Sequence, residues 1–131
     1  LDTFKPVNDS HGHPVGDALL QAVASTIKRC TREGDVVTRI GGDEFAVIIG
    51  DYAEEKDVLA CASRIYREVS RPMEIKGKDI NISISIGVSF YPDDADDAKS
   101  LITHADQAMY EAKKSGANVL TYEAYRMRVA S

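Results

Sequence analysis

The residues best placed to do chemistry lie in one short stretch, Thr38–Gly50, which reads TRIGGDEFAVIIG. Two apolar, β-branched runs flank Gly41-Gly42-Asp43-Glu44, a pattern that predicts a β-hairpin. A tight turn needs the glycines. It does not need two adjacent carboxylates. Carboxylates on a turn held by strands are hard oxygen ligands suited to Mg²⁺. Successive side chains in extended backbone point to opposite sides, so Asp43 and Glu44 can take different roles. Gly41 and Gly42 let a ligand approach the backbone closely. Together these features suit a metal–nucleotide site, although the same tetrapeptide alone also makes an ordinary solvated turn.

A domain must hold that turn. The chain has 131 residues, 44% apolar and 28% charged, which suits one domain with one hydrophobic core. Its net charge of -5 gives no support for a nucleic acid or an anionic membrane as partner. Cys30 and Cys61, the two cysteines, fall in apolar helical patterns and read as reduced core thiols. No CxxC, no Cys/His metal spacing, no membrane-length apolar run and no signal peptide is present. The chain opens at Leu1 without methionine, so we read it as a piece of a longer protein.

The opening segment, with Pro6, Gly12, Pro14 and Gly16, reads as the end of a strand or a loop. Helices are predicted from about Val15 to Thr31, Glu54 to Ser70 and Asp97 to Ser115, from apolar residues at three- and four-residue steps. A second hairpin is predicted around Lys76–Asp79, leading into a strand where Ile80, Ile82, Ile84, Ile86 and Val88 alternate with polar residues. NVLTY forms a last short strand. The mixed order predicts an α+β fold, an antiparallel-rich central sheet flanked by helices. The domain is expected over residues 1–122, with 123–131 a tail or the start of a linker.

Four co-linear blocks resemble the GGDEF family, the diguanylate cyclases. They are LDTFKPVNDSHGHPVGD from Leu1, RIGGDEF from Arg39, SISIGVS from Ser83 and ADQAMYEAKKSGAN from Ala105. The resemblance implies a nucleotidyl-cyclase, palm-like fold with a ferredoxin-like core, its first strand truncated here. It also implies a reaction: two GTP molecules condense to cyclic di-GMP with loss of two pyrophosphates, across a homodimer that need only be transient. Asp43 and Glu44 are then the catalytic acids. They hold Mg²⁺ or Mn²⁺ together with the backbone carbonyl of Leu1. Phe4, Lys5, Asn8, His13, Asp17, Gly41, Gly42 and Lys113 match GTP-binding positions, with Asn8 and Asp17 on the guanine. Arg32 and Asp35 match an inhibitory product site, where an arginine fork would pair with cyclic di-GMP. GTP as substrate implies a cytoplasmic domain without membrane contact of its own, in a parent that could be membrane-anchored.

Each of these residues also has a plainer use. Asn8 can form a turn, Asp17 can start a helix, His13 can cap or pack and Lys5 can be a solvated surface charge. Lys113 complements a helix C-terminus and Arg32–Asp35 can be a local ion pair. The sequence also departs from the family pattern twice. The opening metal-ligand aspartate would fall one residue before Leu1, and Ala117 stands where the family often has a phosphate-binding arginine, Lys114 being the nearest other base. We read the first departure as truncation of the chain, which leaves this fragment without one expected metal ligand, and not as a natural inactive protein. Ala117, with a tail that resembles the linker into a phosphodiesterase domain, sustains an alternative: a catalytically weak GTP- or cyclic-di-GMP-binding regulatory domain of a larger protein that carries a phosphodiesterase (EAL) domain. A purely structural dimerisation domain is a third reading, opposed by the four blocks.

Overall fold

The structure is a computed structural model that describes residues 1–130 except 3, and at Lys5 the backbone alone. It divides into two units, Leu1–Ile84 and Ser85–Ser131.

The first unit runs α1 (Phe4–His11), α2 (His13–Cys30), β1 (Val36–Gly41), β2 (Glu44–Ile48), α3 (Glu55–Val69), β3 (Met73–Ile75) and β4 (Lys78–Ile80). Its organising element is α2, which packs against α1, α3, β1 and β3. Val15, Leu19, Leu20, Val23, Ile27 and Cys30 are buried along it, and Leu19 and Val23 are completely enclosed. Burying one such side chain stabilises by about 1.5–3 kcal/mol. Val58, Ala62, Ile65 and Val69 form the buried stripe of α3. A reciprocal capping box between Glu54 and Asp57 starts that helix.

The opening segment is helical, which corrects the expected strand end or loop. Pro6 occupies the first turn of α1, where its missing N–H has no intrahelical partner to lose. Val7 is buried. Gly12, at φ 88°, makes the joint into α2, which begins at His13 rather than Val15. The prolines and glycines that suggested a loop are the punctuation between two helices.

β1 and β2 pair antiparallel, with Val36 opposite Ile48 and Gly41 opposite Glu44. β3 and β4 make the second hairpin on a two-residue turn, Lys76-Gly77, with both φ positive at 50° and 77°. The expected long strand after it is not continuous. Ile80, Ile82 and Ile84 are buried as alternation predicts, yet among the described residues ladder pairing stops at Ile80 and resumes at Ile86. Alternation reports which face is buried; it does not supply a neighbouring strand. In the gap, the Asp2 amide donates to the Ser83 carbonyl at 2.9 Å.

The second unit holds β5 (Ile86–Val88), α4 (Ala98–Ser115), β6 (Val119–Thr121) and α5 (Tyr122–Ala130). β5 and β6 pair in parallel. The described strands therefore form three two-stranded ladders, not one sheet, and two of the three are antiparallel. Asp97 caps α4 by accepting from the Ser100 amide at 2.7 Å, a bond that holds its carboxyl below the usual carboxylate range. Gly116, at φ 78°, closes the helix in the left-handed conformation. The tail, expected as a helical turn or the start of a linker, is helical as part of α5. Tyr122 stacks on His104 of α4, ring centroids 4.1 Å apart, and the His104 ring donates through Nδ1 to the Asp94 carbonyl at 2.7 Å.

β5 reaches α4 only because residue 87 lacks a side chain. A Cβ there would overlap the Ala105 carbonyl oxygen and the Met109 nitrogen, both backbone atoms that cannot swing aside. Gly87→Ala is expected to destabilise the protein by about 1–3 kcal/mol, the usual cost of overpacking. Urea unfolding reads this directly, and a midpoint equal to wild type would show that β5 and α4 separate freely.

Candidate active site

The β1–β2 register leaves Gly42 and Asp43 as the two residues of the turn, with Glu44 the first residue of β2. The acids therefore sit at the tip, as expected: Asp43 is half-buried and Glu44 exposed. The pairing is irregular between Arg39 and Gly41, a bulge that re-aims the tip relative to the strands. Arg39 then fastens it, its Nε donating to the Gly42 carbonyl at 2.7 Å. The sequence reading gave Arg39 no role of its own. An arginine two residues before a Gly-Gly turn was the available signal.

Gly42 adopts φ 43°, which favours glycine. Gly41 has no such φ, and a Cβ there would meet nothing within 4 Å. Neither packing nor conformation accounts for glycine at 41. Leu1 lies beside the tip, its main-chain nitrogen donating to the Asp43 carbonyl at 3.0 Å. The structure thus brings together Leu1, Asp43 and the turn glycines.

The carboxylates of Asp43 and Glu44 and the Leu1 carbonyl are all hard oxygen donors. Among the described residues, no group of three or more His, Cys, Asp or Glu side chains could hold a metal ion. That is compatible with Mg²⁺, which is commonly held by one or two carboxylates plus waters and substrate phosphates rather than by an all-protein cage. The donors fit such an ion.

Two further groups of expected residues assemble on α1 and α2. Asn8, His13 and Gly16 meet, with Asn8 Nδ2 3.0 Å from His13 Nδ1. Phe4 reaches the same place, its ring 3.4 Å from where a Gly16 Cβ would be. Asp17 is exposed one turn along α2 and lines a cleft of about 460 Å³ with Leu20, Gln21, Arg39 and Phe45. The signature hairpin and the expected base-binding acid therefore share one concavity. The Lys5 side chain lies outside the described residues.

Arg32 and Asp35 form a self-contained corner. The Arg32 amide donates to Asp35 Oδ2 at 2.9 Å, its Nε lies 3.7 Å from the same oxygen, and its Nη2 donates to the Gly50 carbonyl at 2.6 Å. The Asp35 side chain is 5% exposed and that of Arg32 60%, so the fork is held at its base with its charge still in water. Lys113 is exposed in the last turn of α4, in the second unit. Lys114, the nearest base to Ala117, lies over the Tyr110 ring at 5.8 Å. Cys30 and Cys61 are free thiols, as read from the sequence. Cys61 Sγ donates to the Cys30 carbonyl at 3.5 Å, and burial pushes both thiols up.

Residues 1–119 match the family model described as "Diguanylate cyclase, GGDEF domain". The chain belongs to the GGDEF domain family, and its fold is the palm-like α+β fold of that family. It is 43% identical over 122 residues to diguanylate cyclase A of Treponema denticola, covering 92% of this chain and 33% of that protein. It is 42% identical over 118 residues to the bifunctional diguanylate cyclase/cyclic di-GMP phosphodiesterase MucR of Pseudomonas aeruginosa, covering 90% of this chain and 17% of that one. The chain thus spans a third or less of these relatives. Among solved structures, the GGDEF domain of P. aeruginosa TpbB superposes with a TM-score of 0.91 at 37% identity, over 98% of this chain and 76% of that one. The GGDEF domain of DgcB from Caulobacter crescentus, solved in complex with c-di-GMP, gives 0.79 at 33%, over 93% and 73%.

The tip geometry generates a test that needs no substrate. Arg39→Ala should speed amide hydrogen exchange at Gly42–Glu44 and leave α2 unchanged. Exchange at the wild-type rate would mean that the strands alone hold the tip.

Proposed function

We propose that this domain is a diguanylate cyclase unit that condenses two GTP molecules into cyclic di-GMP, acting as a homodimer in which each copy holds one GTP. The observation that carries the reading is the hairpin tip. It presents two adjacent carboxylates on a fastened turn, a bare glycine backbone beside them and the Leu1 main chain against Asp43.

The chemistry follows from charge and orientation. The 3′-hydroxyl of one GTP attacks the α-phosphate of the other, and pyrophosphate leaves. Mg²⁺ or Mn²⁺ bound at Asp43, Glu44 and the Leu1 carbonyl supplies charge neutralisation and a more acidic attacking hydroxyl. The protein's own residues bind and orient. Asp17 accepts hydrogen bonds from the guanine ring N–H and amino groups, and Asn8 pairs with the same base. Gly41 and Gly42 let the phosphates lie against main chain. Phe4, Lys5 and Lys113 take phosphate-side roles by their place in the matching blocks. Holding both nucleotides in reacting geometry replaces an encounter in solution with an organised one, worth several kcal/mol.

Arg32 and Asp35 form the product site in this reading. Asp35 and the Gly50 carbonyl orient the guanidinium, and its exposed edge takes a guanine or phosphate of cyclic di-GMP. DgcB offers a relative crystallised with that dinucleotide. No helix among the described residues is long and apolar enough to cross a membrane. GTP as substrate would place this domain in the cytoplasm.

A second reading rests on Ala117, which cannot supply a phosphate-binding charge, and on Lys114, which is engaged with Tyr110. It makes the domain a nucleotide-binding regulator of an attached phosphodiesterase. Incubation of the domain extended upstream through its whole first strand with GTP and Mg²⁺, followed by chromatographic separation of the nucleotides, decides between the two. Cyclic di-GMP in the products supports the cyclase. Bound but unconverted GTP supports the regulator.

Asp43→Ala is expected to abolish turnover while unfolding stays within about 0.5 kcal/mol of wild type, as for other surface changes. Full activity in that variant would remove Asp43 from catalysis. Arg32→Ala should weaken inhibition by added cyclic di-GMP at least tenfold, a loss of about 1.4 kcal/mol of binding. An unchanged inhibition curve would reduce the corner to a surface ion pair.

A further inference from the structure

The contact between Asn8 and His13 constrains chemistry that neither residue shows alone. Asn8 is half-buried near the end of α1, with its Nδ2 3.0 Å from His13 Nδ1. An amide nitrogen can only donate, so His13 Nδ1 is the acceptor and the proton of the neutral ring sits on Nε2. The other end of the carboxamide lies over Gly16. A Cβ at residue 16 would overlap Asn8 Oδ1 and come within 3.2 Å of the amide carbon. The amide is held at its nitrogen by a hydrogen bond, and its oxygen fills space left by a missing side chain.

We propose that His13 is a positioning residue that fixes which way round the Asn8 carboxamide presents its donor and acceptor to a purine, with Gly16 providing the room. The inference rests on the reading of Asn8 as a guanine-binding residue. An amide free to turn over offers donor and acceptor in either order. With its proton on Nε2, His13 takes one N–H and sets the order, leaving the second N–H and the oxygen to meet a base. Purine edges differ in the same terms. Guanine presents its N2 amino donor beside the N3 acceptor, whereas adenine has the N3 acceptor alone. A fixed amide matches the first arrangement in one orientation only, so His13 adds to purine selectivity without touching the base.

The test is titration calorimetry of wild type, His13→Leu and His13→Gln with the α,β-methylene analogues of GTP and ATP, which bind but cannot release pyrophosphate. Wild type should prefer the guanine analogue. The Leu variant, lacking an acceptor, should lose about tenfold of that preference, with affinity for the adenine analogue unchanged. The Gln variant, whose side-chain oxygen can accept from Asn8, should retain most of it. Gly16→Ala should lose the preference independently by displacing the Asn8 oxygen, and alanine favours the helix, so α2 should remain formed.

A Leu variant as selective as wild type would overturn the role of His13 and leave the guanine site standing. Equal losses in the Leu and Gln variants would overturn the acceptor role. A wild-type protein without preference for guanine would remove Asn8 from base recognition, and this inference with it.

Discussion

The first unit depends on one face of one helix. α2 buries Leu19 and Val23 completely and carries α1, α3, β1 and β3 against it. That packing fixes where Asp17 stands relative to the hairpin, because the face that buries Leu20 turns Asp17 toward the cleft it shares with Arg39 and Phe45. It also fixes Asn8, which rides on α1 and is seated over Gly16 of α2. Hydrophobic burial here does more than stabilise. It sets the distances on which base recognition would depend.

The hairpin tip is governed by a different balance. It is an exposed turn with little burial of its own, and Val36, Ile40 and Ile48 on its strands are more than half exposed. Order at the tip must come from directional bonds: the β1–β2 ladder, the Arg39–Gly42 hydrogen bond and the contact from Leu1. Two like charges side by side gain nothing for the fold in such a place. In the proposed function a cation and phosphates would turn that repulsion into binding.

The Arg32–Asp35 corner shows how a bland interaction and a functional one coexist. The ion pair at 3.7 Å joins a buried Asp35 carboxylate to an Arg32 side chain that is mostly in water, so solvent screens it and it adds little stability. The bonds to the Arg32 amide and the Gly50 carbonyl nevertheless hold the guanidinium in one orientation before any ligand arrives. An arginine already held loses less entropy on binding.

The sequence alone determined the α+β class, the three main helices within one or two residues, both hairpins and the acidic tip. These follow from local rules: apolar spacing, glycines at positive φ, and caps such as Asp97 and Gly116. The four blocks also named the candidate residues. Only the tertiary structure decided that Phe4–His11 is a helix, because α1 packs on α2, with Val7 buried and Asn8 seated over Gly16, and does not rely on helix-favouring residues. It alone divided the expected strand at residues 81–85, since alternation encodes a buried face but not a hydrogen-bonding neighbour. It alone joined Asp17 to the hairpin cleft, Asn8 to His13 and Arg39 to the Gly42 carbonyl. Those three relations come from helix packing, the bend between two helices and a bulge in the strand pairing, which no run of residues specifies by itself.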